Sequence, residues 1–105
     1  KKEYQAHVVR RVLSPEQAAV MRMMLQQATS EKSTGHAARV AGFPVGGKTG
    51  TAQKALASGG YGRDNYFSSF AGFIPAHDPR FVIYVAIDNP RNKYYGSEVA
   101  APLFS

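Results

Sequence analysis

The stretch Gly42-Phe43-Pro44-Val45-Gly46-Gly47-Lys48-Thr49-Gly50-Thr51 can be read as a loop entering a helix or as the start of a strand. Read as a loop, Gly42, Gly47, Lys48 and Thr49 fit the spacing G-x-x-x-x-G-K-[ST]. In that arrangement backbone N–H groups cradle phosphate, the lysine reaches the terminal phosphate and the hydroxyl holds magnesium. Phe81 to Ile87, followed by Asp88, even resembles the apolar strand and acidic residue that accompany such a loop. The context points the other way. A buried strand should precede Gly42, yet Ser30 to Ala41 is polar and then alanine-rich. A helix should follow Thr49, yet Gly50 disfavours it. Read as a strand, the stretch puts Thr49 and Thr51 on one face, with Lys48 on the other unless the strand twists. Gly50 would then let another backbone lie close against the strand.

Working outward, three extended segments are predicted, at about 45–54, 66–74 and 81–87. The connection Ala55 to Asn65 holds Gly59, Gly60 and Gly62, and the next connection is Pro75 to Pro79. Both are too short for a crossover helix, so the strands should form an antiparallel meander. The second and third strands are apolar at odd and even positions, which predicts a sheet covered on both faces. Upstream, Ser14-Pro15-Glu16-Gln17 reads as a helix start, with Ser14 capping, Pro15 in the first turn and Gln17 completing a capping box. Ala18, Met21, Met24, Leu25 and Ala28 recur at helical spacing, so residues 15–29 are expected to form an amphipathic helix with its methionines as core filler. Residues 4–13 read as an extended arm, 30–36 as a polar turn, and 97–105 as the start of a C-terminal helix containing Pro102. The class is therefore α/β of the α+β type, an antiparallel sheet covered by helices.

The chain has 105 residues, 44% hydrophobic and 19% charged, a balance that argues against disorder and allows one small core. It lacks cysteine, which excludes a disulfide scaffold, a thiolate metal site and a cysteine nucleophile. No apolar run reaches the roughly 18 residues of a membrane helix. The net charge of +6 comes from thirteen scattered basic residues, adjacent only at Lys1-Lys2 and Arg10-Arg11. This reads as a solvated basic surface that attracts anions generally, without the aromatic interleaving of a nucleic-acid footprint. His7, His36 and His77 are isolated, and no metal-ligand spacing appears. The chain opens on Lys1 and its last stretch, Ala100-Ala101-Pro102-Leu103-Phe104-Ser105, stops on an apolar run, so it is expected to be part of a larger domain.

Lys48-Thr49-Gly50-Thr51 on a strand suits acyl-enzyme chemistry, which needs a cation and hydroxyls beside a nucleophile to hold a carboxylate and relay protons. An edge strand also offers unpaired N–H groups for an oxyanion. Several further segments carry a collinear pattern. They are Arg10-Arg11-Val12-Leu13-Ser14-Pro15, Thr34-Gly35, Val45 to Lys54, Phe70-Ala71-Gly72-Phe73-Ile74-Pro75-Ala76, Pro79-Arg80-Phe81-Val82-Ile83, and Tyr94-Tyr95-Gly96-Ser97 with Val99-Ala100-Ala101-Pro102. In this order they resemble the C-terminal third of the transpeptidase domain of class B penicillin-binding proteins, the division-type peptidoglycan D,D-transpeptidases. Ser97 departs from the pattern, where a second glycine is expected.

The resemblance implies a partial penicillin-binding/β-lactamase-like transpeptidase fold over residues 1–105. It implies a serine that attacks the D-Ala-D-Ala end of a stem peptide, and an acyl-enzyme resolved by an amine from a neighbouring stem. Lys48 and Thr51 would be the catalytic residues of this chain, and Lys48, Thr49, Gly50 and Thr51 its substrate-binding set. The Thr51 N–H would supply half of the oxyanion hole. Tyr94 and Tyr95 fit either an aromatic wall of the groove or packing at a helix start. No cofactor and no metal are implied. The partners implied are peptidoglycan stem peptides, β-lactam antibiotics, the remainder of the domain and other division proteins. The parent would sit at the periplasmic face of the inner membrane, anchored by an N-terminal helix. No serine here has lysine three places on or asparagine two places on, so the nucleophile is expected on a segment outside these residues and the chain alone should be inactive. Thr29-Ser30-Glu31-Lys32 has the lysine spacing but threonine in the nucleophile's place. The alternatives are a nucleotide-binding loop protein and a non-catalytic basic binding module.

Overall fold

The computed structural model describes residue 5 and residues 7–105. Tyr4 and Ala6 of the expected extended arm lie outside the described residues. From residue 7 to residue 12 the chain has no regular secondary structure, and Val8, Val9 and Val12 are exposed.

Helix α1 runs Pro15–Gln27. The expected capping box is present: the Ser14 hydroxyl accepts the Gln17 N–H at 3.2 Å, and Gln17 Oε1 accepts the Ser14 N–H at 2.9 Å. Such a cap stabilises a helix by about 1 kcal/mol. The helix ends two residues before the expected boundary because other partners take its last carbonyls. The Ala28 carbonyl accepts from the Gly35 N–H at 3.0 Å and the Ser33 hydroxyl at 2.6 Å. The buried Thr29 hydroxyl donates to Val45 O at 2.6 Å, tying this end of the helix to the start of the sheet. One expectation fails. No residue of α1 is buried, and Met21, Met23 and Met24 are 47%, 66% and 63% exposed. Among the described residues the helix packs mainly on the first strand, along the half-buried stripe Ala18, Arg22 and Leu25. The methionines fall beside that stripe, and nothing described covers them.

A short 3-10 turn, His36–Ala38, leads to β1 (Gly46–Ala55), β2 (Tyr61–Ile74) and β3 (Phe81–Asp88). They form an antiparallel sheet of order β1-β2-β3, as the short connections predicted. Strand β2 starts five residues before its expected boundary. The Leu56 N–H donates to Gly60 O, and Gly59 and Gly60 take φ of +88° and +78°, closing a tight hairpin that leaves Tyr61 free to pair with Ala55. This geometry excludes the phosphate-loop reading. Thr49 lies mid-strand, the chain continues from it as strand and not as helix, and among the described residues no strand is parallel to another.

Register assigns the faces, since directly opposed residues share one. Gly47↔Gly72, Thr49↔Phe70 and Thr51↔Ser68 lie on one face, and Lys48↔Ala71, Gly50↔Ser69 and Ala52↔Phe67 on the other. The first face carries the core. Phe70 is fully buried and meets Phe104 edge-on at 4.9 Å, with Ala38, Val45, Ala100 and Ala101 around them. These last residues come from the 3-10 turn and two short helices, α2 (Gly96–Val99) and α3 (Ala101–Phe104). The expected single C-terminal helix is thus broken at Ala100, just before Pro102, which has no N–H to continue the ladder. Coverage of both faces is also not found among the described residues: Val82 is 82% exposed and Tyr84 60%.

Candidate active site

Strand β1 pairs only with β2 among the described residues, so its outer edge is free. Alternate N–H and C=O groups of an edge strand face away from its partner. The free edge carries Lys48, Thr49, Gly50 and Thr51 at its centre.

Lys48 starts on the face opposite Thr49 and Thr51, as alternation requires. Its long stem bends back, and the ammonium lies 3.1 Å from Thr49 O and 3.5 Å from Thr49 Oγ1. Lys48 has no carboxylate partner among the described residues, whereas Lys54, further along the strand, is held by Asp88 at 2.5 Å. The Lys48 charge is therefore open to an outside anion.

Thr51 Oγ1 accepts the Gly96 N–H at 3.0 Å. Gly96 is the first residue of α2, whose opening N–H groups have no partner inside the helix. The chain can approach this closely only because Gly96 has no side chain: a Cβ there would lie 2.5 Å from both Gly50 O and Ser69 O. The Gly50 backbone is thus packed by Gly96, and the Ser69 hydroxyl lies 2.7 Å from where its Cβ would be. A threonine hydroxyl has one proton and two lone pairs. With one lone pair taken by Gly96, the Thr51 proton remains for a ligand.

An aromatic group lies against β2, the strand next to this edge. Tyr94 stacks on Tyr66 at 4.2 Å and meets Tyr95 at 4.5 Å. Tyr94 is half-buried and packs as expected for a helix start, while Tyr95 is 54% exposed and is the ring available to a ligand. The Tyr94 hydroxyl donates to Tyr95 Oη at 3.3 Å, and this bond holds the Tyr94 phenol above its ordinary pKa. A groove of about 560 Å³ runs beside the stack, with Asp64, Asn89, Arg91 and Asn92 on its other walls.

The structure therefore brings Lys48, Thr49 and Thr51 to one edge. It adds Tyr66 and Ser68, which the sequence did not single out, and gives Gly96, quoted there only within the Tyr94–Ser97 stretch, a bond to Thr51. Ser97, the departure from the expected pattern, lies inside α2 and does not prevent the helix from starting at Gly96.

A family model, the penicillin binding protein transpeptidase domain, matches residues 2–105. The chain belongs to this family. Among curated relatives it is 46% identical over 95 residues to stage V sporulation protein D of Bacillus subtilis, covering 90% of this chain and 14% of that protein. It is 43% identical over 96 residues to a probable peptidoglycan D,D-transpeptidase PenA of Neisseria flavescens, covering 90% of this chain and 24% of that protein. The chain thus spans a quarter or less of these relatives' length. Among solved structures, it superposes on the apo transpeptidase domain of Burkholderia pseudomallei penicillin-binding protein 3 with a TM-score of 0.81 at 40% identity, covering 91% of this chain and 29% of that one. It also superposes on Mycobacterium tuberculosis penicillin-binding protein 3 complexed with ampicillin, with a TM-score of 0.78 at 38% identity over 90% of this chain and 23% of that one. The penicillin-binding fold is accordingly present in part, as an antiparallel three-stranded sheet with helices.

Proposed function

We propose that the chain forms one wall of the active site of a serine-type peptidoglycan D,D-transpeptidase, and that residues 1–105 are the C-terminal segment of its transpeptidase domain. The observation that carries this reading is the edge of β1. The Lys48 ammonium, with no carboxylate partner among the described residues, stands one position before Thr49, and the Thr51 hydroxyl, fixed by Gly96, stands two positions beyond it. Cation and hydroxyls together suit a carboxylate, and charge-assisted hydrogen bonds of this kind are about twice as strong as neutral ones.

In the proposed reaction, a serine on the remainder of the domain attacks the carbonyl carbon between the two D-alanines of a stem peptide. The serine proton passes to the departing D-alanine amine, and the peptide is left as an ester on the serine. An amine of a neighbouring stem then attacks that ester, forming the crosslink and returning a proton to the serine. Lys48 holds the donor carboxylate and supports proton traffic. Thr49 and Thr51 bind the same carboxylate, Gly50 keeps the strand flat beneath it, and the Thr51 N–H contributes to the oxyanion hole. β-Lactams, which carry a matching carboxylate, acylate the same serine. The absence of Ser-x-x-Lys from these 105 residues supports a chain that is inactive alone. The parent acts at the periplasmic face of the inner membrane, held by an N-terminal helix, and works with other division proteins. The names of the relatives support the transpeptidase part of this reading.

The test is covalent labelling. A fluorescent penicillin should label the full-length parent and leave the isolated chain unlabelled. An unlabelled parent would favour a non-catalytic binding module.

A further inference from the structure

Thr51 and Ser68 are direct cross-strand partners, so their hydroxyls leave the same face of the sheet side by side. Both are bonded to one three-residue segment. The Ser68 hydroxyl donates to Tyr94 O, and Thr51 Oγ1 accepts the Gly96 N–H at 3.0 Å. Tyr94 to Gly96 therefore lies across β1 and β2 with one end fixed from each strand.

Ser68 is the odd residue on its face. It is fully buried, and its neighbours on that face of β2 are Tyr66 and Phe70. A buried hydroxyl is tolerated only where it is bonded, and the partner of Ser68 is the carbonyl two residues before Gly96. The stacking of Tyr94 on Tyr66, also from β2, holds the same point from the side-chain end. Gly96 itself packs against Gly50 O and Ser69 O, so a small displacement of the segment would carry its N–H off the Thr51 oxygen.

We propose that Ser68 is a positioning residue of this site, holding Tyr94–Gly96 so that the Gly96 N–H occupies Thr51 Oγ1 and the Thr51 proton is aimed at the donor carboxylate. The inference rests on the transpeptidase reading above. Without the Ser68 bond, the part-buried Tyr94 carbonyl loses its hydroxyl donor and the segment shifts toward another one. The Thr51 hydroxyl then rotates freely, and part of its population presents a lone pair to the carboxylate.

The experiment is a double-mutant cycle in the full-length parent, read as the second-order rate of acylation by a fluorescent penicillin. Ser68→Ala should slow acylation by roughly 3- to 10-fold, the loss expected for one hydrogen bond. In a Thr51→Val background the same change should alter the rate less than about twofold, because its route to the ligand is already gone. Ser68→Cys, which keeps the shape and a weak donor, should fall between. Equal effects in the two backgrounds, or no effect of Ser68→Ala, would overturn the proposal. Hydrogen exchange over residues 94–99 separates this inference from the reading it rests on. Ser68→Ala should speed exchange of the Gly96 amide, and an unchanged amide overturns the role of Ser68 whatever the activity. A wild-type parent that takes no label overturns the transpeptidase reading, and the positioning role of Ser68 toward the ligand with it. If Ser68→Ala gives no cooperative thermal transition, Ser68→Cys carries the cycle, with the same additive result overturning the proposal.

Discussion

The Gly96 N–H and the Thr51 hydroxyl oxygen are joined at 3.0 Å although 45 residues of chain separate them. The bond satisfies a helix-end donor with a strand side chain, and it fixes the hydroxyl that the proposed chemistry uses. Replacing Thr51 by Val keeps the shape and β-branching but removes both the acceptor and the proton. Acylation of the full-length parent by a labelled penicillin should slow by roughly 10- to 100-fold, the range for a hydrogen bond to a charged group. An unchanged rate would remove Thr51 from the site.

Lys48 supplies a compact ammonium with no acidic partner among the described residues. Lys48→Met should slow acylation by about 100-fold or more, through lost carboxylate binding and lost proton traffic. Lys48→Arg should recover little of this. A planar guanidinium cannot follow the path that brings Nζ to 3.1 Å from Thr49 O, and it does not give up a proton. Burst labelling of the parent and both variants checks the order.

Gly96→Ala tests the packing beneath the bond. The new Cβ would stand 2.5 Å from two backbone oxygens, Gly50 O and Ser69 O, which have no rotamer to move to. The start of α2 must lift, at a cost of about 1–3 kcal/mol. Denaturant unfolding of the intact transpeptidase domain should show that loss, and penicillin acylation should slow as it does for Thr51→Val. Wild-type stability and rate together would show that the close approach is not needed.

What could be read from the sequence was local or followed from alternation. The Ser14–Gln17 cap is set within four residues, and Lys48 to Thr51 could be placed on a strand because Gly50 disfavours a helix. The pairing of Gly96 with Thr51 could not be read, because nothing local to Gly96 names a strand partner. Ser68 looked like any strand serine until the hairpin register set it opposite Thr51. The first residues of β2, Tyr61-Gly62-Arg63-Asp64-Asn65, lack apolar alternation and are held by the Ala55–Tyr61 pairing and by the Gln53 side chain, which donates to Gly62 O, so they read as loop. The α1 methionines show the reverse limit. An apolar stripe tells which face avoids water, but not what covers it, and among the described residues its methionines are left exposed.

The tyrosine pair predicts a pH response. The bond that Tyr94 donates to Tyr95 Oη, together with the Tyr95 charge at high pH, holds the Tyr94 phenol above its ordinary value. A phenol whose folded pKa is raised stabilises the fold while it stays protonated. That contribution is complete below its unfolded pKa of about 10 and is lost as pH rises through the higher folded value. Tyr95→Phe removes both causes, so the Tyr94 midpoint should fall. Titration of ¹³Cζ-labelled tyrosine in the parent, with Tyr94→Phe for assignment, reads the change directly. An unmoved midpoint would show that the two hydroxyls do not interact.

Phe70 is the residue on which the site's support turns. It is fully buried, it stands opposite Thr49 in the register, and its ring fills the space left by Gly47 and Gly72. Its edge-on contact with Phe104 ties α3 to β2, and α3 continues directly from α2, which carries Gly96. Phe70→Ala should therefore destabilise the intact domain by about 3–5 kcal/mol, through lost burial and a cavity that Gly47 and Gly72 have no side chains to fill. Phe70→Leu should cost less, since it keeps most of the volume. Because the helices lean on this ring, Phe70→Ala should also speed hydrogen exchange at the Gly96 amide before global unfolding. A loss of stability with that amide still protected would mean that the grip of Gly96 on Thr51 comes from the sheet contacts alone.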